Sequence, residues 1–500
     1  DSRYVALGLS GLARVQLRRF QYEAAEELSR RALKIARQTG DPDTEATVCL
    51  VLAIALQYQS RIEEAKTVYK EIVALRQSLH DRPGEIAAWY SMALICHTMR
   101  RFPEAIDYLR QGETLSREIG DMGKLSNMLA SLGAIEIHRG DYLKAHSLLE
   151  EALVLARKVG APRTQGLALT NLGETELRLG RFAAARRHLE CSSTILHWVE
   201  GGRYLVHTTL QMGRLRIATG RYHLAEESLQ EAVDLALRIQ DRTFLALALA
   251  GQAGVHRLQG DAATARIWCQ RGRELAQEVA DPQSLAACLT ELGRIAHEER
   301  RCAEACELLL EARSLGREMG DQDLEHLASL ALARVFLTEH RLAEAATLVE
   351  QLLERAEKAA LAADLPEIML LQGLLQLRSG DGSACVILLE QAIRQAEGAC
   401  PADVGVELRQ LYVVMKTGRP SMIRRVQRQL DAQLRGLALS VHGTARRRAF
   451  CRRMAKRQRH FWELAAAPPG PQMPPEQATA LPVAGPETDD HSPVMENRPT

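Results

Sequence analysis

Small and apolar residues recur every forty positions from residue 1 to residue 400, ten times over, with no insertion or deletion. Alanine marks the period most clearly, at Ala25, Ala65, Ala105, Ala145, Ala185, Ala225, Ala265, Ala305 and Ala345, with Cys385 completing the column. Twelve positions earlier stands a second small residue, from Ala13, Ala53 and Ala93 through Gly133, Gly173 and Gly213 to Gly373. Seven positions later a third column holds Ala32, Gly112, Ala152, Ser192, Ala232, Gly272, Ala312 and Ala392. Within a unit the apolar residues fall at helical spacing. In the fourth, Leu125, Met128, Leu129, Leu132 and Ile135 share one face of a first helix, and Ala145, Leu148, Leu149, Ala152 and Leu153 share one face of a second. Gly140 and its equivalents Gly180, Gly220, Gly260 and Gly380 end first helices, while Gly40, Gly120, Gly160 and Gly320 end second helices. Aspartates at 41, 81, 121, 241, 281 and 321 suit the N-caps that follow. No stretch sustains the alternation of a strand, so the expected fold is all-α. Such a period marks a solenoid, in which each helix pair buries its apolar face against its neighbours.

The small–alanine–small spacing, with Tyr22, Phe102, Tyr142, Phe182 and Tyr222 between turn and alanine, resembles the tetratricopeptide repeat (TPR). The usual unit is about 34 residues. This one is longer and is similar to the subclass in MalT-type transcriptional activators and in arrays that follow ATPase or Ser/Thr-kinase modules of bacterial signalling proteins. The resemblance implies a right-handed superhelix of about ten helix pairs over residues 1–400, whose concave face holds a protein or peptide ligand. Beyond the array, 401–465 reads as basic helices capping the last unit, and 466–500, with nine of the seventeen prolines, as a disordered acidic tail. Pro366 falls inside the expected first helix of unit ten.

Charge adds an asymmetry to this picture. The net charge is +1, but residues 416–460 carry 14 Lys or Arg against the single Asp431, which leaves the array acidic. Ten scattered cysteines and no leader segment suggest reduced thiols in the cytoplasm, and no apolar run is long enough to span a membrane. Asp1 falls part-way into a first helix, so the chain is expected to be part of a longer polypeptide, with a catalytic module possible upstream. High Arg and Ala content suggests a bacterial source.

Three constellations could carry chemistry. The resemblance implies that ligands lie along the inner face of the first helices, where the matching column here is Arg14, Ile54, Leu94, Ala134, Glu174, Arg214, Gly254, Arg294, Arg334 and Leu374. By the resemblance, Asn171, Glu174, Arg214, Arg294 and Arg334 form the ligand groove, its arginines favouring acidic ligands. Asn171 stands where related repeats use a carboxamide on a peptide backbone, although its equivalents Val51, Ser91, Ser131, Gln211 and Gly251 do not continue a ladder. These charges are otherwise ordinary solvated positions on a helix face.

The second constellation, Arg446, Arg447, Arg448, Arg452, Arg453, Lys456, Arg457 and Arg459, could neutralise phosphates, rest on the acidic array, or face solvent. Intramolecular docking or solvation is the expectation, and nucleic acid is the alternative partner; a purely structural spacer is the other. The third is Cys302 and Cys306, one turn apart, with Cys288 and His297 in the same unit. Cys302 takes the aromatic position of the repeat and no paired C-x2-C motif accompanies it, so these read as buried thiols and no metal is expected. No P-loop, nucleophile-elbow, zincin or kinase motif occurs, so neither cofactor nor catalysis is expected within these residues.

Overall fold

The computed structural model describes residues 2–19, 21–59, 61–199, 201–396, 400–415, 420–441 and 443–466. Among them run 23 helices and no strand. Each unit contributes two, as Met122–His138 and Tyr142–Lys158 in unit four, both 17 residues long.

Each sequence column has a packing reason. The alanines of the main column, and Cys385 with them, are wholly buried. In the preceding small column a Cβ on Gly133, Gly173 or Gly293 would come within 2.6 Å of Leu149, Leu189 or Leu309 in the same unit's second helix. The third column works between units: a Cβ on Gly112 would meet Met128 at 2.5 Å, and one on Gly272 would meet Cys288 at 2.9 Å. Small residues therefore set both the distance within a pair and the distance between pairs.

The termini follow local chemistry. All six aspartates noted above accept a backbone N–H in their helix's first turn, as Asp121 does from Lys124 at 2.9 Å. Asp141, Asp261 and Asp381 do the same for second helices. A left-handed residue closes helix after helix at twenty-residue intervals. Gly140 and Gly260 adopt it at φ 75° and 86°, and Gln240, Ala280 and His340 adopt it despite their Cβ atoms. Pro366 does not interrupt a helix. The first helix of unit ten, Leu365–Arg378, starts late with Pro366 in its opening turn, where a missing N–H costs nothing, and is shortened to 14 residues.

The ribbon winds far enough to meet itself. Units three, four and five touch unit nine, where Asp321 receives His138 and Arg100, and Asp323 receives Arg178 and Tyr142. The largest apolar core accordingly joins Leu129, Leu149 and Leu172 to Leu332, Ile368 and Leu411.

Past residue 400, Ala402–Met415 lies against both helices of unit ten. Pro420–Leu439 and Thr444–Ala466 go elsewhere. Leu437 reaches the turn at Gly220, the backbone of Ala449 crosses Gly260, and Phe450 packs near Tyr222 with ring centroids 6.2 Å apart. This C-terminal segment is thus more than a lid on the last unit: it doubles back onto units six to eight. Residues 467–500, which include nearly all of the tail expected to be disordered, lie outside the described residues.

Candidate functional site

Because the first helices line the inside of the coil, one register position per unit faces the axis. From unit five onward that column comes together: Glu174, Arg214, Gly254, Arg294, Arg334 and Leu374 all line one cavity of about 740 Å³. Arg14, Ile54, Leu94 and Ala134, the first four members, do not line it. Asn171 is buried at 2% exposure one turn before Glu174, but it is not among the lining residues. Its Nδ2 has no hydrogen-bond partner, and its carbonyl accepts from Thr175. Of the five expected groove residues the structure therefore brings four to the cavity and sets Asn171 behind the wall.

The arginines of the column are already paired. Arg214 lies 3.6 Å from Glu174, Arg294 bonds Glu291 at 2.6 Å, and Arg334 bonds Glu367 at 2.7 Å and Glu407 at 2.8 Å. An acidic ligand of the kind the sequence suggests would have to displace a carboxylate already in place at these arginines. Burial opposes ionisation of Glu174, yet the His207 hydrogen bond and the nearby positive charge prevail and hold it at about 2. Burial likewise opposes the charge on Arg334, and Glu367 and Glu407 outweigh it, so its pKa is raised.

Other lining residues were not singled out from sequence. Arg257 bridges Glu291 at 3.0 Å and Glu298 at 2.9 Å, and Arg178 pairs with Asp323. They occupy a neighbouring inward register three or four positions on from the column, so following each turn of the first helices would have found them. In all, ten Lys or Arg and ten Asp or Glu line the cavity, so its formal charges balance, and apolar side chains such as Leu210, Leu247 and Leu371 line it beside them.

The basic helix forms part of the wall through Ala449, Arg452, Arg453 and Lys456. Arg446 grips both oxygens of Glu226 at 2.7 Å, Arg453 bonds Glu298 at 2.8 and 3.1 Å, and Lys456 donates to the Glu298 carbonyl at 3.2 Å. Of the alternatives open to this segment, the structure places these groups against the acidic array. Arg447 turns back to the Val441 carbonyl at 2.9 Å, and Arg448 is exposed. The side chains of Arg457 and Arg459 lie outside the described ones.

Cys288 is buried beside Cys269, whose thiol donates to the Cys288 carbonyl at 3.1 Å. The His297 ring bonds Thr338 at 2.8 Å, and Cys306 is buried while Cys302 is partly so. Burial raises the pKa of both Cys302 and Cys306, which favours the thiol over the thiolate a metal would need. Among the described residues no three His, Cys, Asp or Glu side chains gather as metal ligands, and no helix is long and apolar enough to cross a membrane.

A family model of the MalT-like TPR region matches residues 185–445, more than half of the chain. The chain belongs to that family. A tetratricopeptide-repeat model matches the earlier part of the array, at 4–78, 49–118 and 124–196. No curated protein matches it. Among solved structures the array is similar to a Rap protein complexed with Competence and Sporulation Factor, at 17% identity and TM-score 0.53, covering 72% of this chain and 99% of that one. It is also similar to the apo quorum sensor NprR of B. thuringiensis, at 15% identity and TM-score 0.47, with 71% and 99% covered. The apo form of RapI follows at 12% identity and TM-score 0.44, with 55% and 98% covered. The chain is a TPR solenoid.

Proposed function

We propose that this array is a sensor that takes an elongated peptide or protein segment into the cavity inside units five to ten. One observation carries the reading: from unit five onward the inner column converges on a single cavity whose wall mixes apolar side chains with charges of both signs. Its volume falls in the range of about 300–1,000 Å³ used for small ligands. Its wall offers matched charges of both signs, which suits a ligand that itself carries both, as a peptide does. The Rap protein, similar over 99% of its own length, was solved with a factor bound, which supports the same use of this fold. We place the array in the cytoplasm, as one arm of a larger bacterial signalling or transcriptional regulator. Ligand occupancy would be read out through the contact between units four and nine.

The test is a displayed library of random peptides selected against the immobilised chain. Gly254, on the inner column, has no atom nearer its Cβ position than Glu291 Oε2 at 3.5 Å, so Gly254→Trp fills the cavity from its wall. The wild type should enrich peptides that the variant no longer holds, with matching circular dichroism for the two proteins. Selection of no peptide, or equal retention by both, rejects the reading.

A further inference from the structure

A second cavity, of about 660 Å³, shares no lining residue with the one inside units five to ten. It is a groove walled by the second helices of units six and seven, Tyr222–Arg238 and Ala262–Glu278. The first helix of unit seven, Arg242–Leu258, packs against both and also lines it. One wall is a row of carboxylates. Glu227, Glu231 and Asp234 stand at three- and four-residue spacing on one exposed face of the unit-six helix. Their partners are two imidazoles and an amide: His223 lies 3.3 Å from Glu227, His197 lies 3.8 Å from Glu231, and Gln230 donates to Asp234 at 3.0 Å. Among the described residues no Lys or Arg pairs with any of the three.

A row of acids is by itself only a solvated face, but two buried side chains of unit seven set this one apart. Gln252 and His256, 1% and 4% exposed, stand one turn apart and line the groove. The Gln252 amide nitrogen donates to the Glu226 carbonyl at 3.1 Å, which fixes this floor one residue from Glu227. The same bond leaves Gln252 Oε1 as an acceptor, and that oxygen is buried with no hydrogen-bond partner, as is His256 Nδ1. Burial lowers the His256 pKa against the pull of Glu226, so the ring is neutral and cancels none of the negative charge. Buried polar atoms left unpaired are costly, and N–H groups of a ligand relieve that cost.

The groove already shows which donor fits it. Arg446 enters from the C-terminal helix and holds both Glu226 oxygens at 2.7 Å, while Gln259 donates to the same carboxylate at 3.1 Å. In all, four carboxylates line the groove against two guanidinium groups, those of Arg238 and Arg446, an excess of two negative charges. Half-buried Trp268 on the unit-seven wall adds an aromatic ring of the kind that attracts cations. From Glu227 to Asp234 the row is about 10 Å long by helical rise, the reach of about three residues of extended chain.

We propose that this groove binds a basic segment of a partner protein. Its arginines lie along Glu227, Glu231 and Asp234, and its donors turn to the floor at Gln252 and His256. Arg446 holds the end of the groove at Glu226 and so sets where the segment stops. The site lies apart from the sensor cavity, so the failure of either reading leaves the other untouched.

Calorimetric titration of the full chain at pH 8 and constant ionic strength tests it with two probes. They are acetyl-triarginine amide and acetyl-tricitrulline amide, which keeps the shape without the charge. Triarginine should bind saturably and at least tenfold tighter than tricitrulline. Glu231→Gln and Asp234→Asn, both at exposed positions that the fold tolerates, should each weaken it at least threefold. Gln252→Leu, which removes the buried acceptor and no charge, should weaken it at least twofold. Glu350→Gln removes the same charge from an exposed position on the second helix of unit nine and should leave binding unchanged. The groove is overturned by no saturable binding, by equal binding of the two peptides, by Glu231 and Asp234 variants that bind as the wild type does, or by an equal loss in Glu350→Gln.

Discussion

His138 Nδ1 lies 3.0 Å from Asp321 Oδ2, joining unit four to unit nine. The same carboxylate, 1% exposed, also stands 3.4 Å from Arg100 and caps its own helix by accepting the N–H of Leu324 at 3.2 Å. One buried side chain therefore does two jobs, ending a turn and clasping the coil. Asp321→Ala should cost about 3 kcal/mol, as removing one partner of a buried pair does. Asp241→Ala, which loses an equivalent cap at a more exposed position, should cost about 1 kcal/mol. Urea unfolding gives both numbers, and hydrogen exchange locates them. Faster exchange in units four and nine together is the expected pattern for Asp321→Ala. Faster exchange in unit nine alone would mean that the clasp contributes nothing.

Beside that clasp, half-buried His97 has its Nε2 out of solvent and unpartnered and its ring against Phe102 and His138. Burial, aided by the nearby His138 and Arg100, lowers its pKa from 6.5 to about 3. Between those values the unfolded chain binds a proton that the folded chain refuses, so stability falls as pH falls, by up to about 1.4 kcal/mol per pH unit. Asp321 acts in the same direction lower down: burial resists its ionisation, but His138 and Arg100 win and lower its pKa, so its contribution is lost as pH drops below its ordinary 3.8. Replacing the ring by His97→Phe should flatten the dependence of unfolding free energy on pH between about 6 and 4 by close to one proton's worth. An unchanged slope would show that the imidazole takes its proton without unfolding.

How much of this was legible in the sequence depends on the distance over which each feature acts. The small columns, the aspartate caps and the left-handed turns are local or nearest-neighbour effects, and periodicity exposes them directly. The inward register of Arg294 or Arg334 was legible for the same reason. The pairing of Arg334 was not, because Glu367 comes from the next unit and Glu407 from beyond the array. The contact between units four and nine depends on the pitch of the coil, which accumulates from small rotations that no single unit encodes. Nor does anything in the basic run itself say that Arg446 will meet Glu226 and Arg453 will meet Glu298. Gly220 and Gly260 read only as turn residues, yet they also leave room for Leu437 and Ala449.

Gly260 allows that second use to be measured. A Cβ there would sit 2.9 Å from the carbonyl carbon and oxygen of Ala449, on top of the strain of a side chain at φ 86°. At Gly160 the backbone is also left-handed, φ 65°, but nothing lies within 4 Å of the Cβ position. Gly160→Ala should lose only the conformational preference, about 1 kcal/mol. Gly260→Ala should lose that and also lift the C-terminal helix, opening the chain to trypsin at Arg447, Arg448 and Arg453. Equal protection of those arginines in both variants would mean that the helix is not held by its contact at Gly260.

Ala280 offers the opposite change. It is exposed, its φ is 51°, and it stands at the helix-closing phase that glycine fills at residues 40, 120, 160 and 320. A Cβ in the left-handed region costs roughly 1–2 kcal/mol, whereas glycine adopts it freely and gives back only part of the gain as extra freedom in the unfolded chain. Ala280→Gly should therefore stabilise the array by about 1 kcal/mol. Val279→Gly, one residue earlier at φ −89°, should instead destabilise it by roughly 0.5–1 kcal/mol, since glycine gains nothing there and loses side-chain contacts. Opposite shifts of the two urea midpoints would tie the effect to the sign of φ at residue 280; shifts in the same direction would not.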